Sequence, residues 1–443
     1  MNRGFYIVMA AQFFSSLADN AILIAAIALL QELHASDASR PMLKLFFFVS
    51  YVVLAAFVGA FADSMPKGRV MFLTNAVKAA GGALMFVGVN PLLAFAVIGF
   101  GAAAYSPAKY GIVTELLPPE RLVAANGWIE ALTVASIVLG TALGGVLVWP
   151  HFSAHLQSTG AALGLPAGFS ASREAIAVLC LIYGLAALIN LGIPDTGVRY
   201  APQPLSPVAM VRSFTHCVRT LWVDKLGQIS MAVTTLFWGA GAALQLLVIA
   251  WLQQYLGMSL SRASVLQSVS AVGVAAGAIL AANRVSLRRS FSVLPLGIAM
   301  GLAMAGISLV DLHVLPSGGL SYGSTHVGWS ALAVAALMMA VGGLAGYFIV
   351  PMNALLQHRG YVLLSAGHSI AVQNFNENLS ILAAMGLYIL AIDVGLSTRT
   401  TMVLFGLFVG AAMGLVILRH RANQRRFDAV ALIGDTHHGD TIP

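Results

Sequence analysis

A chain of 443 residues with 59% hydrophobic and only 9% charged side chains is too poor in charge for a water-soluble domain, since soluble domains carry about 25% charged residues. With a mean hydropathy of +0.87 it reads as an all-α integral membrane protein, nearly all of it within the bilayer. The net charge of +7 is no sign of nucleic-acid binding, because the basic residues sit in short loops between apolar stretches, as membrane orientation requires.

A membrane span needs roughly 20 mostly apolar residues. Twelve such stretches are predicted: 4–30, 44–62, 70–89, 92–114, 122–148, 174–193, 226–254, 262–282, 291–310, 327–352, 365–392 and 396–418. The first is too long and too polar in its middle for a cleavable leader, so it is read as a retained helix. An even count places both termini on one side. Assigning that side to the cytoplasm gives it 18 of the 23 basic residues, leaving Arg40, Lys44, Arg173, Arg262 and Arg399 opposite, the bias expected of cytoplasmic loops. Cys180 falls in a span and Cys217 in a loop, so no disulfide framework follows.

Polar residues within spans are the functional candidates, since an ionisable group there costs roughly 2.5–3.5 kcal/mol on insertion scales. In span one Gln12, Ser15, Ser16 and Asp19 stack on one helical face, with Asn20 beside them. Asp63, Lys67 and Arg69 follow span two; this group reads as a latch between neighbouring helices whose release lets two halves rock. Lys78 reads as a lysine snorkelling to the headgroups. Span four holds Tyr105 and Lys109 around Pro107, with Lys109 a candidate for an anion path, and span five holds Asn126 and Glu130 one turn apart.

The connection 194–225 is rich in proline, with Pro194, Pro202, Pro204 and Pro207, then becomes amphipathic. Ser206 is the expected N-cap with Pro207 at the first helical position. Val211, Phe214, Val218, Leu221 and Trp222 form the apolar stripe of a helix lying in the headgroup region and tethering the halves. In span seven Trp238 and Gln245 flank small residues and are candidates to line a cavity. Span eleven carries Gln373, Asn374, Asn376, Glu377 and Asn378. Five polar residues among six cannot share one side, so a broken or water-lined helix is expected, with Glu377 as its functional carboxylate. Residues 420–443 read as a basic, then polar, disordered tail ending past His437-His438.

The two halves repeat. Asp63 to Arg69 and Asn283 to Arg289 share one spacing, and the Tyr105–Asn126 interval equals that of Tyr347–His368. The Gly/Ser-rich loop 311–326 absorbs the change in offset. With Asn283 replacing the acid, the second latch should be the weaker. Six-span repeats about an axis along the membrane normal point to the major facilitator architecture. The expected domains are bundles at 1–193 and 226–419, a linker at 194–225 and a tail at 420–443. No GxxxxGK[ST] loop, GxSxG elbow or metal-spaced Cys/His cluster is present, so no catalytic residue, metal or cofactor is assigned.

Taken together, AQFFSSLADNA (11–21), VGAFADSMPKGRVMF (58–72), GAAAYSPAKYGI (101–112), VAANGWIEA (123–131), LFWGAGAAL (236–244), VPMNALLQHRG (350–360) and AVQNFNEN (371–378) resemble the bacterial lysophospholipid transporters of the major facilitator superfamily. The resemblance implies movement of lysophosphatidylethanolamine and lysophosphatidylglycerol across the inner membrane to the cytoplasmic leaflet. There an acyl-acyl-carrier-protein-dependent acyltransferase restores the second chain. It implies a functional acid at Asp19, which can pair in relatives with a basic residue at the site of Gln245. That departure leaves Asp19 needing another partner or a proton. The resulting expectation is that Asp19, Glu130 and Glu377 meet an ethanolamine or order water, Lys109 meets phosphate, and all converge on one wet cleft between the halves. The competing readings are a proton-coupled exporter of amphiphilic drugs or small solutes, told apart by its need for a proton gradient, and a membrane scaffold for the acyltransferase.

Overall fold

The computed structural model describes the chain except residues 37–38, 150, 153, 155–157, 159–169, 204–205, 310–317, 323–324, 427 and 434–443. Among the described residues the first half holds α1 (Arg3–Glu32), α2 (Ser39–Val53), α3 (Ala55–Asp63), α4 (Lys67–Phe86), α5 (Pro91–Leu116), α6 (Leu122–Leu147) and α7 (Ala171–Leu191). After α8 (Pro207–Val223) the second half holds α9 (Gly227–Leu256), α10 (Leu260–Arg284), α11 (Leu294–Leu309), α12 (Trp329–Leu363), α13 (Ala366–Asp393) and α14 (Thr398–Arg426). A short antiparallel ribbon, β1 (Gly319–Tyr322) and β2 (Thr325–Gly328), precedes α12. It lies where a Gly/Ser-rich loop was expected; residues 310–317 and 323–324 of that loop lie outside the described residues.

Among the described residues ten helices are long and apolar enough to cross a membrane, or eleven if α2 and α3, bent by 65° at their junction, count as one span. The break falls at Leu54, inside the expected span 44–62. The remaining expected span, 70–89, coincides with α4, which is less apolar than the others because it carries Lys67, Arg69 and Lys78. It packs lengthwise against α5 and α7, and two of its three cations are buried on carboxylates.

Sequence signals set the helix ends. Asn2 accepts from Phe5 N at 2.9 Å, and Asn90 caps α5 ahead of Pro91, as short polar side chains do for otherwise unpaired N–H groups. Ser206 occupies the N-cap of α8, but its side chain makes no capping bond. The polar run in α13 does not break that helix, which is continuous from Ala366 to Asp393. Asn376 and Asn378 instead return their amides to the carbonyls of Val372 and Asn374 at 2.8 Å each.

The start of the expected tail is ordered. α14 runs to Arg426, Asn423 donates to the Lys225 carbonyl at 3.4 Å, and Ile433 joins the core. The helix outruns the bilayer because its 29 residues rise about 43 Å, against about 30 Å of hydrocarbon. Residues 434–443, with His437 and His438, lie outside the described residues.

Within lipid, apolar tails provide no hydrophobic drive between helices, so close backbone packing carries association. In α10 and α12 glycines lie directly on the backbone of the facing helix. A Cβ on Gly277 would fall on the Gly343 carbonyl oxygen, one on Gly342 on that of Ser270, and one on Gly346 on that of Val274. The two halves touch in the same manner at one end of the bundle, the end where α1 starts and α3 finishes. There a Cβ on Gly127 of α6 would lie 2.6 Å from Ala282 Cβ of α10, and one on Gly59 of α3 would lie 3.0 Å from His368 Cα of α13.

Overpacking such a contact costs about 1–3 kcal/mol or more. Gly277→Val is expected to lower the thermal midpoint of the detergent-solubilised protein by several degrees or abolish folded yield. Gly184→Val, where nothing lies within 4 Å, should stay within about 0.5 kcal/mol of the parent. Melting followed by tryptophan fluorescence distinguishes the two.

Candidate functional site

α1 carries Asp19 halfway along its length, and the structure supplies the partner that the sequence left open. Lys78 of α4 reaches Asp19 Oδ2 at 2.8 Å, and Tyr183 of α7 donates to Oδ1 at 2.7 Å. Lys78 does not snorkel: its side chain is 1% exposed, while that of Asp19 is 21% exposed. Its ammonium also donates to Ser15 at 3.0 Å and lies 4.8 Å from the Tyr105 ring centre, a cation–π contact suited to a dry site. Ser15 passes its own hydrogen to Asn75 at 2.7 Å. The expected polar face of α1 is thus divided. Gln12, which donates to Thr133 at 2.9 Å, and Ser15 are buried, whereas Ser16, Asp19 and Asn20 are half-buried. Asn20 donates to the Ser16 carbonyl at 2.8 Å. Tyr105 is buried by packing on Lys78.

Lys109 on α5 is half-buried, its ammonium 4.0 Å from the Tyr110 ring centre. It lies within electrostatic reach of Lys78, Glu130 and Asp19. Half-buried Glu130 of α6 is in turn within reach of Glu377 on α13, in the other half. Glu377 accepts from Gln373 at 2.8 Å, and Gln373 also donates to Asn353 of α12 at 3.2 Å. Trp238 is half-buried with its indole N–H unpartnered, and Gln245 is exposed on α9. Asp19, Lys78, Lys109, Glu130 and Glu377 therefore form one charged neighbourhood drawn from both halves.

Two amides expected in that neighbourhood are used elsewhere. Asn126 and Gln357 exchange hydrogen bonds across the halves at 2.8 and 2.9 Å, and Asn374 donates to Ser106 at 2.9 Å. All four side chains are buried. A single cleft shared by every polar span residue is thus not what forms, because these amides close the seam between α5, α6, α12 and α13.

The contact expected of the latch motif takes in more residues than the motif itself. Asp63 Oδ1 meets Lys67 at 2.5 Å and the Gly367 N–H at 2.9 Å. Oδ2 meets Ser365 Oγ at 2.5 Å, His368 N at 3.2 Å and His368 Nδ1 at 3.0 Å. A carboxylate of the first half thereby sits on the amino end of α13 in the second, where helix N–H groups favour an anion. Arg69 is exposed and takes no part in these bonds. The motif spacing alone could not reveal Ser365, Gly367 and His368, although His368 already stood out as the repeat partner of Asn126. Asn283, at the equivalent place in the second half, bonds to its own Ile279 carbonyl at 2.9 Å and is exposed.

The linker covers this latch. Glu115 accepts from Thr196 at 2.7 Å and from Tyr200 at 2.8 Å, and lies 3.6 Å from Lys67. Burial beside Glu115 pushes the Tyr200 phenol well above its ordinary range, which keeps it a donor. Outside, hydrogen bonds from Arg199 hold the exposed Asp195 carboxyl down to about 2. A second pair, Arg359 with Asp224 at 3.0 and 2.9 Å, joins α12 to the end of α8, where Asp224 also accepts from Gly227 N at the start of α9. Among the described residues no three His, Cys, Asp or Glu side chains come together as metal ligands would.

Two helical halves, clasped at one end and enclosing charges from both, define a membrane carrier. The chain belongs to the major facilitator superfamily, whose model matches residues 8–359. Its fold is similar to that of a bacterial homologue of the iron transporter ferroportin in the outward-facing state (TM-score 0.64, 15% identity, covering 96% of this chain and 100% of that one). It is likewise similar to the human organic anion transporter MFSD10 (TETRAN) (TM-score 0.65, 17% identity, covering 96% and 100%). Sequence narrows the family. The chain is 39% identical over 396 residues to the lysophospholipid transporter LplT of Yersinia enterocolitica serotype O:8 / biotype 1B, covering 89% of each. It is 38% identical to that of Yersinia pestis (strain Pestoides F), covering 89% of this chain and 88% of the relative. These matches place it in the LplT family.

Losing Asp63 removes the carboxylate that joins the halves. In a chain with Cys180→Ser and Cys217→Ser, a thiol at Ser106→Cys should react about tenfold faster with a reagent offered from the latch end once Asp63→Ala is added, the effect of about 1.4 kcal/mol of lost closure. Arg69→Ala should leave that rate unchanged. Equal rates with and without Asp63 would remove the latch.

Proposed function

We propose that this protein carries lysophospholipids, lysophosphatidylethanolamine and lysophosphatidylglycerol among them, across a bacterial inner membrane to the cytoplasmic leaflet. An acyl-acyl-carrier-protein-dependent acyltransferase is the partner that then restores the second chain. Both termini are cytoplasmic in this reading, because the loops on their side carry most of the arginine and lysine. The clasped end is then the cytoplasmic end, and the substrate enters from the opposite side.

The observation that carries the reading is the charged neighbourhood of Asp19, Lys109, Glu130 and Glu377 between the halves, taken with membership of a family whose relatives are named lysophospholipid transporters. A lysophospholipid presents one phosphate and, in the ethanolamine form, one ammonium. Lys109 suits the phosphate as a point charge. Glu130 and Glu377, from opposite halves, suit the ammonium, as does Asp19. Tyr105, Asn20, Trp238 and Gln245 shape the surrounding walls, and the single acyl chain rides between the halves against Phe, Leu and Met. Asn126 and Asn374 act on the other side of the cycle, holding the cytoplasmic seam shut until the halves rock. Asp63 and Lys67 serve the same closure.

Purified protein in vesicles should take up labelled lysophosphatidylethanolamine without an ion gradient. Lys109→Ala, Asp19→Ala and Glu377→Ala should each cut the initial rate about 10- to 100-fold, the scale of a lost charge-assisted contact. Wild-type rates in all three would remove the site, and uptake only under a proton gradient would favour the coupled exporter.

A further inference from the structure

Within the charged neighbourhood the approach of Glu130 to Glu377 spans the two halves, whereas the Asp19–Lys78 pair stands apart. All of its members belong to the first half: Ser15 and Asp19 on α1, Asn75 and Lys78 on α4, Tyr105 on α5 and Tyr183 on α7. Rocking of one half against the other neither makes nor breaks it. The lysine is also built in. A Cβ at Gly101 of α5 would lie 2.7 Å from Lys78 Cγ and 2.9 Å from the Thr74 carbonyl oxygen, so only glycine lets the lysine stem lie flat against α5. The ammonium is wholly buried while the carboxylate keeps an exposed side. Its two oxygens are held from behind by Lys78 and Tyr183.

Resting on the substrate reading above, we propose that Lys78 is a positioning residue that fixes Asp19 as a permanent receptor for the cationic headgroup amine. It is not part of a gate between halves. Lys78 and Tyr183 hold the Asp19 carboxylate in one orientation, and its open side receives an ammonium at hydrogen-bond range. Lys78 touches no substrate and acts through Asp19 alone. Gln245, exposed on α9, supplies no competing charge from the other half. The consequence is selectivity: the pair matters for a headgroup that carries an amine and matters much less for glycerol.

The test uses full-length protein in vesicles, with initial uptake of lysophosphatidylethanolamine and lysophosphatidylglycerol measured against concentration. Lys78→Met should raise KM for the ethanolamine lipid about tenfold more than for the glycerol lipid, the loss of one charge-assisted contact, with kcat for both nearly retained. Lys78→Arg should restore the ratio. In the double variant Asp19→Asn/Lys78→Met, which leaves no unpaired charge, the ethanolamine KM should equal that of Asp19→Asn alone. That comparison, with Lys78→Arg, decides the matter even where Lys78→Met fails to fold. A KM ratio unmoved by Lys78→Met, or losses that add in the double variant, would overturn the assignment. If the unaltered protein carries neither lipid, the substrate reading falls first; if it carries both but the ratio ignores Lys78, only the present assignment falls.

Discussion

Charge inside a bilayer has no water to lean on, and that constraint organises this molecule. Each strongly buried charge pair answers it locally. Lys78 lies on Asp19, Lys67 on Asp63, and Arg359 on Asp224 with two parallel bonds. Buried pairs of this kind are weak contributors to net stability, because desolvation offsets much of their attraction. Their value lies in which helices they join. Asp19–Lys78 holds α1 to α4 within one half. Asp63 reaches across to the start of α13 in the other.

In the proposed transport cycle that division sorts the molecule into fixed and releasable parts. The fixed parts are joined by backbone proximity, as along the glycine seam of α10 and α12, where no side chain intervenes. The releasable parts are joined by polar contacts, with Asn126 on Gln357, Asn374 on Ser106 and Asp63 on a helix amino end. A hydrogen bond of ordinary strength contributes only about 0.5–1.5 kcal/mol net. A handful of them can hold a state and still yield to a bound lipid, whereas overlapping glycines cannot part without dismantling a half.

Much of this was legible in the sequence, and the failures share a cause. Hydropathy located the spans, though α4 is less apolar than the rest and one expected span is divided between α2 and α3. Asp19, Lys109, Glu130 and Glu377 stood out as polar residues in apolar runs and do come together. What the sequence concealed was partnership. Lys78 looked like a snorkelling lysine because one-dimensional position cannot say that Asp19 and Tyr183 wait on neighbouring helices. Arg69 looked like part of a latch because its spacing fits, while Ser365 and Gly367, some 300 residues away, carry the contact. The polar run of α13 looked like a break because helical amides bonding to their own carbonyls leave no mark in composition.

One feature of the linker constrains how the molecule opens. α8 rests Phe214, Cys217 and Leu221 on residues of α3 from the first half and of α9, α12 and α13 from the second, while Val211 and Trp222 of its expected stripe stay exposed. It therefore straddles the seam like a doorstop set across both leaves. When those leaves part, α8 must remain with one of them, and the apolar surface it vacates on the other is left for acyl chains to fill.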